Sequence, residues 1–141
     1  MEEMSALEEL AACEDVGFIS LREEPEFELC IRVETTNPSR IFEIRWSSYI
    51  SYAVRSEHYC QWDSEEIWEG KHVFRVYSKS KFLDFVAAGT FASDAFPGPF
   101  KHYQIQSLYP IIDVASRQPP SVRVVDGPNN SFKPIPLRGP A

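Results

Sequence analysis

The side chains best able to do chemistry are thinly spread. The chain has three histidines, His58, His72 and His102, with no H-x-x-x-H or H-E-x-x-H spacing between them. His58 lies in Glu57-His58-Tyr59-Cys60, which pairs an imidazole with a thiol. In an extended segment their Cβ atoms would share a face but stand about 7 Å apart, too far for a direct hydrogen bond. Glu57, His58, Cys60 and Asp63 lack the short recurrent spacing of a zinc site, so no metal is expected. General acid–base work needs two carboxyls whose environments pull their pKa values apart. Most candidates, among them Glu57, Asp63, Glu65, Glu66 and Glu69, fall in a polar stretch and read as solvated. Asp113 sits inside Ile111-Ile112-Asp113-Val114-Ala115, where an apolar setting would raise its pKa. The competing expectation is a strand with Asp113 on its wet face. Gly98 is flanked by Pro97 and Pro99, which have no N–H to offer an anion, and neither G-x-G-x-x-G nor G-x-S-x-G occurs. No catalytic residue, cofactor or metal ligand is assigned.

Aromatic residues are the stronger signal. Trp46, Tyr49, Tyr52, Tyr59, Trp62, Trp68, Phe74 and Tyr77 crowd one third of the chain. Trp62 and Trp68 stand among Glu57, Asp63, Glu65 and Glu66. Tryptophan is enriched at binding hot spots, and acids around it would select a basic protein partner. The plainer alternative is a tryptophan folded back as a lid on a sheet. Basic residues are not interleaved in this segment, which disfavours a single-stranded nucleic-acid platform.

These residues must be positioned by elements that the pattern partly reveals. Ser5-Ala6-Leu7-Glu8 matches a capping box and predicts a helix over about 6–13. Phe18–Leu21 is a candidate strand. Phe27, Leu29, Ile31 and Val33 alternate with charged residues, as in a strand with one wet face. From 41 to 55, Phe42, Ile44, Trp46, Ser48, Ile50, Tyr52 and Val54 share one parity and Tyr49 takes the other. That length implies either a bent strand or two strands broken near Ser47-Ser48. Further strands are expected over Val73–Tyr77, Lys101–Leu108 and Ile111–Ala115, with a shorter one at Val122–Val125. Ser80 caps a helix over 81–88 whose apolar stripe is Phe82, Phe85 and Val86, with Gly89 just past its end. Helices do not alternate with strands, so the expected fold is α+β: mainly antiparallel sheet with one face covered by helix and a short N-terminal helix. Six of the eleven prolines fall in 119–141. The expected organisation is one domain over 1–126 and a flexible, disordered Pro-rich tail over 127–141.

The chain has 141 residues and a net charge of −7, with 43% hydrophobic residues. Ten acids and one base occupy residues 1–28. An acidic surface repels phosphate, so no nucleic-acid partner is expected. Cys13, Cys30 and Cys60 cannot all pair within one chain, which suits a reducing compartment. No apolar run reaches membrane-spanning length, and the acidic N-terminus is unlike a secretory signal. The expected localisation is cytoplasmic, with no membrane partner.

Trp46-Ser47-Ser48-Tyr49, Ser51-Tyr52, Arg55-Ser56-Glu57-His58-Tyr59, Tyr77-Ser78-Lys79-Ser80-Lys81-Phe82-Leu83-Asp84, Lys101-His102-Tyr103 and Ile112-Asp113-Val114 together resemble small stand-alone bacterial proteins. Some of these are grouped with the immunity proteins of polymorphic toxin systems. The resemblance spans 41–117 and implies a cytoplasmic protein that binds and blocks a cognate toxin. It carries over no catalytic residues. The expectation is a non-enzymatic binding protein that meets a basic partner through Glu57, Trp62, Asp63, Glu65, Glu66 and Trp68. The alternative is a small enzyme or ligand-binding domain with a pocket between sheet and helix, lined by His58, His102, Tyr103 and Asp113. A third possibility is a homodimer joined at an exposed strand edge.

Overall fold

The computed structural model describes residues 5–36, 39–90 and 98–125. The expected tail over 127–141 lies outside them. Helix α1, Ala6–Ala11, opens on the capping box: Ser5 Oγ accepts from the Glu8 amide, and Glu8 accepts from the Ser5 amide. It ends two residues earlier than expected. Strands β1 (Gly17–Glu24), β2 (Glu28–Thr36) and β3 (Ser39–Trp46) follow. Next come β4 (Ser51–Ser56), a 3₁₀ turn at Glu57–Tyr59, β5 (Ile67–Gly70) and β6 (Phe74–Lys79). Helix α2 (Lys81–Gly89) leads to β7 (Lys101–Gln106), β8 (Pro110–Ser116) and β9 (Ser121–Val125). No helix among the described residues is long and apolar enough to cross a membrane.

Among the described residues the strands pair antiparallel, as the pattern predicts, with one isolated parallel bridge between Gly17 and Leu108, and the chain is α+β. The strands form two sheets. One has the order β1-β2-β3-β9, the other β4-β8-β7-β6-β5. The 41–55 pattern breaks at Ser47, and its two halves enter different sheets. The inner faces share one core: Leu29, Ile31, Val33, Phe42, Ile44 and Trp46 meet Phe74, Tyr103, Ile105, Ile112 and Val114. Trp46 and Tyr103 touch across it, ring centroids 6.0 Å apart. Helix α2 covers the opposite face of the five-stranded sheet, where Val86 packs on Ala115 with Phe82 and Ile50 alongside. Helix α1 lies against β9.

Four local expectations need correction. Phe27 does not join the core. With Glu26 it takes a left-handed conformation (φ 64° and 67°) in the β1–β2 turn and is exposed. Phe85 faces solvent, because the short α2 buries only the Val86 side of its stripe. Tyr49, expected to face outward, packs against the core edge beside Tyr52. The segment before Gly70, read as a solvated polar stretch, ends in β5. Gly70 makes that hairpin possible. Its φ is +116°, and a Cβ there would stand 2.4 Å from the Phe74 carbonyl oxygen.

Candidate functional site

The outer face of the five-stranded sheet holds His102 and Asp113 of one candidate group and Trp68 of the other. Strand register sets the first of them. Tyr77 lies opposite His102, and Gln104 lies opposite Asp113. All four point away from the hydrophobic core and toward α2 and the 57–66 segment. Asp113 Oδ1 accepts from His102 Nε2 at 2.6 Å and from Gln104 Nε2 at 2.9 Å, while Arg55 Nε stands 3.3 Å from Oδ2. Gln104 Oε1 accepts from Tyr77 Oη at 3.2 Å and from Gln106 Nε2 at 2.6 Å. Ser80 Oγ lies 2.8 Å from His102 Nδ1 and caps α2 by accepting from the Leu83 amide at 3.1 Å. A carboxylate only accepts, so the network assigns the imidazole proton to Nε2. In that tautomer Nδ1 accepts a hydrogen bond from the Ser80 hydroxyl.

Asp113 therefore sits on the non-core face that alternation requires, but that face is not wet. Asp113 is 3% exposed, His102 1% and Ser80 2%. The His102 ring is stacked on Tyr77 at 4.5 Å and packed by Phe82 at 4.7 Å. Burial pushes the Tyr77 phenol above its ordinary pKa, although Arg75 pulls it down.

Serine, histidine and aspartate in line is the arrangement of an activated nucleophile. Here Ser80 Oγ is sealed and spends a lone pair on the helix cap. An attacking oxygen must come within about 3 Å of a substrate carbon, and this one meets only protein. The relay as folded holds α2 onto β7 and β8.

The other proposed pocket residues do not join it. Tyr103 is on the opposite side of the sheet, in the core between Trp46 and Phe74. His58 is exposed in the 3₁₀ turn, its ring 5.7 Å from that of Tyr109. No hydrogen bond joins it to Cys60. His72 is exposed and 3.9 Å from Asp15. Burial raises the thiol pKa of Cys13, Cys30 and Cys60 and so disfavours thiolate. Among the described residues no three metal-ligating side chains converge. Two surface cavities among the described residues lie elsewhere. One of about 370 Å³ is bounded by Glu9, Cys13, Glu14, Asp15, Arg40 and Phe42. Another of about 350 Å³ lies beside Glu43, Arg45 and Arg123.

The aromatic–acidic residues lie above the relay. Trp68, on β5, is 40% exposed, and Trp62, in the preceding loop, is 51% exposed. Arg75 lies over Trp68 at 3.9 Å and 5.3 Å from Trp62, and Arg55 reaches Trp62 at 5.9 Å. The two tryptophans are thus half lid and half surface, braced by cation–π contacts. The acids divide. Asp63 accepts from the Glu65 amide and lies 3.6 Å from Lys81 Nζ. Glu66 accepts from the Lys81 amide at 3.0 Å, at the N-terminal end of α2. Glu57 and Glu65 make no ion pair among the described residues and face solvent.

Sequence reasoning missed Arg55, Arg75, Tyr77, Ser80, Gln104 and Lys81 as parts of this surface. Ser80 was legible as a cap. The others become neighbours only through tertiary contact, as Lys81 meets Glu66 across 15 residues and Tyr77 meets Gln104 across 27.

Comparison with protein-family models, curated proteins and solved structures finds no significant match to this chain.

Proposed function

We propose that this chain is a non-enzymatic binding protein whose contact surface is centred on Trp62 and Trp68. The observation that carries this reading is the half-exposed tryptophan pair, fixed on a rigid sheet by Arg55 and Arg75 with uncommitted carboxylates at Glu57 and Glu65. Rigid aromatic anchors lose little entropy on binding and typically carry most of an interface's energy. Arginine is interleaved with the tryptophans here, contrary to the sequence expectation. The surrounding carboxylates of Glu57, Asp63, Glu65 and Glu66 repel phosphate and favour a basic protein partner. The resemblance to immunity proteins supplies the class: a cognate toxin blocked by occlusion of a basic active-site rim.

The test replaces Trp62, Trp68, Glu65 and Glu66 together by alanine and compares quantitative capture from the native cell. A protein retained by the wild type is expected to be lost by the variant, with affinity down at least ~100-fold if two hot spots of about 2 kcal/mol are removed. Unchanged affinity would place the interface elsewhere.

A second reading, a small hydrolytic enzyme, is favoured by one observation, the Ser80–His102–Asp113 relay. A fluorophosphonate probe separates the two. Labelling that disappears in both Ser80→Ala and His102→Ala would establish the enzyme, and no labelling supports the binding reading.

A further inference from the structure

The chain runs from β6 through Ser80 directly into α2, so the relay serine stands at the start of a nine-residue helix. The first amides of a helix have no intrahelical acceptor. In α2 the Leu83 amide donates to Ser80 Oγ at 3.1 Å, and the Asp84 amide donates to the Ser80 carbonyl at 3.1 Å. The Lys81 amide donates to Glu66 Oε2 at 3.0 Å. The Phe82 amide has no hydrogen bond among the described residues.

In acyl transfer the amide that follows a nucleophilic serine donates to the oxyanion. Here that amide belongs to Lys81, and a carboxylate of the same chain fills its acceptor position. Strand pairing puts the carboxylate there: Ile67 lies opposite Lys79, so Glu66 comes beside Ser80. The Glu66 amide donates to the Asp63 carbonyl at 3.2 Å, and Asp63 Oδ2 lies 3.6 Å from Lys81 Nζ. The order strand, serine, helix is that of a nucleophile elbow, although the Ser80 backbone is extended (φ −161°) rather than strained. Capping α2 needs only the Ser80 hydroxyl. The imidazole 2.8 Å from it, with a buried carboxylate behind, is a separate observation, and these are the groups that draw a proton from serine.

We infer that Ser80 is a latent nucleophile toward carboxylic esters and that Glu66 plugs the oxyanion site beside it. This inference rests on the hydrolytic reading above and names its regulation. In the closed form the chain can only bind, because Ser80 is 2% exposed. Two negative oxygens cannot share the Lys81 amide, so the oxyanion forms only when Glu66 and the turn that carries it swing away. The Lys81 and Phe82 amides then receive the ester carbonyl oxygen. Ser80 Oγ bonds to the carbonyl carbon as its proton passes to His102 Nδ1, and Asp113 stabilises the imidazolium through Nε2. The carbonyl electron pair moves to oxygen. On its return the ester C–O bond breaks, and the alcohol leaves with the Nδ1 proton. Water repeats the sequence on the acyl-serine and releases the acid.

The test uses the full chain, a fluorophosphonate probe and p-nitrophenyl acetate. Glu66→Ala is expected to raise both probe labelling and p-nitrophenol release at least ~10-fold over the wild type. Peptide mass should place the label on Ser80. Both signals should vanish when Ser80→Ala or His102→Gln is added, the second of which keeps the helix cap. Glu66→Gln can still accept from the Lys81 amide, so its rates should fall between those of wild type and Glu66→Ala. No rise in Glu66→Ala overturns the inference, and so does a rise that survives Ser80→Ala. Glu66→Gln as fast as Glu66→Ala assigns the effect to charge rather than occupancy and overturns the plug. Wild type labelled on Ser80 as fast as Glu66→Ala leaves the hydrolytic reading standing and removes only the plug. No Ser80 label in any variant removes both.

Discussion

Two carboxylates are buried on the outward faces of the two sheets, and they are buried by different means. Glu43 is 2% exposed on the four-stranded sheet. Its cross-strand neighbours are Arg32 on β2 and Arg123 on β9. Arg32 Nη2 is 3.0 Å away, Arg45 Nη2 is 3.6 Å away, and Arg123 Nε hydrogen-bonds to Oε2. Long guanidinium side chains from the same sheet cover it. Asp113, at the equivalent depth, has one guanidinium, the His102 ring and the Gln104 amide as partners, and it is covered by α2 and the 57–66 segment. Glu43 shows a strand face sealing itself with local charge. Asp113 shows a strand face sealed by remote chain, which ties helix, loop and sheet into one unit.

This contrast can be broken most directly at Asp113. Asp113→Ala strands His102, Gln104 and Arg55 together and should cost about 3–5 kcal/mol, the scale for removing one partner from a buried charged network. Urea unfolding reads it, and a loss below about 1 kcal/mol would mean that the relay is not structural. Glu43→Ala should cost less, about 2 kcal/mol, because Arg123 and Arg45 reach solvent once released.

The same site sharpens the comparison with pH. Burial pushes the Glu43 carboxyl upward, but hydrogen bonds from Arg123 and Arg32, with the Arg123 charge, outweigh it and leave the pKa below its ordinary 4.5. The unfolded chain therefore takes up this proton first as pH falls. The stabilisation is complete above about 4.5 and disappears as pH drops through the lower folded value. Acid unfolding of Glu43→Gln should show a shallower slope below that point, and an unchanged slope would contradict the assignment.

Ser80→Ala removes the α2 cap and the Nδ1 partner together. About 1–2 kcal/mol is expected from the cap, with extra exposure of His102 measurable by amide exchange over 80–86. The smallest effect belongs to Tyr49, whose hydroxyl donates to Glu23 at the rim. That bond, with burial, pushes the phenol pKa to about 12. Tyr49→Phe should alter stability by less than about 0.5 kcal/mol, since the pair is exposed, while removing one late-titrating tyrosine from an absorbance titration.

Much of the fold was legible in the residues. The capping box at Ser5 and the cap at Ser80 are local, three-residue hydrogen bonds, and both helices start where they predict. Alternation located β2, β3 and β7, because side-chain direction in a strand follows parity alone, and an apolar run located β8. It could not say that β3 and β4 enter separate sheets, since parity is the same on either side of a bend. It also failed at Phe27, where a turn interrupted the pattern, and at β5, whose edge position leaves no buried face to mark it.

For the candidate site, residue type and spacing singled out Trp62 and Trp68 and raised Asp113 and His102 as an apolar-flanked acid and an isolated imidazole. That Arg55 and Arg75 brace the tryptophans, and that Ser80, His102 and Asp113 fall in line, was decided only by tertiary structure. These partners stand on four strands and a helix, and the sequence distance between them carries no information about strand order. Local hydrogen bonding and two-residue periodicity are properties of the chain itself. Burial of a polar group depends on which remote segment comes to rest upon it.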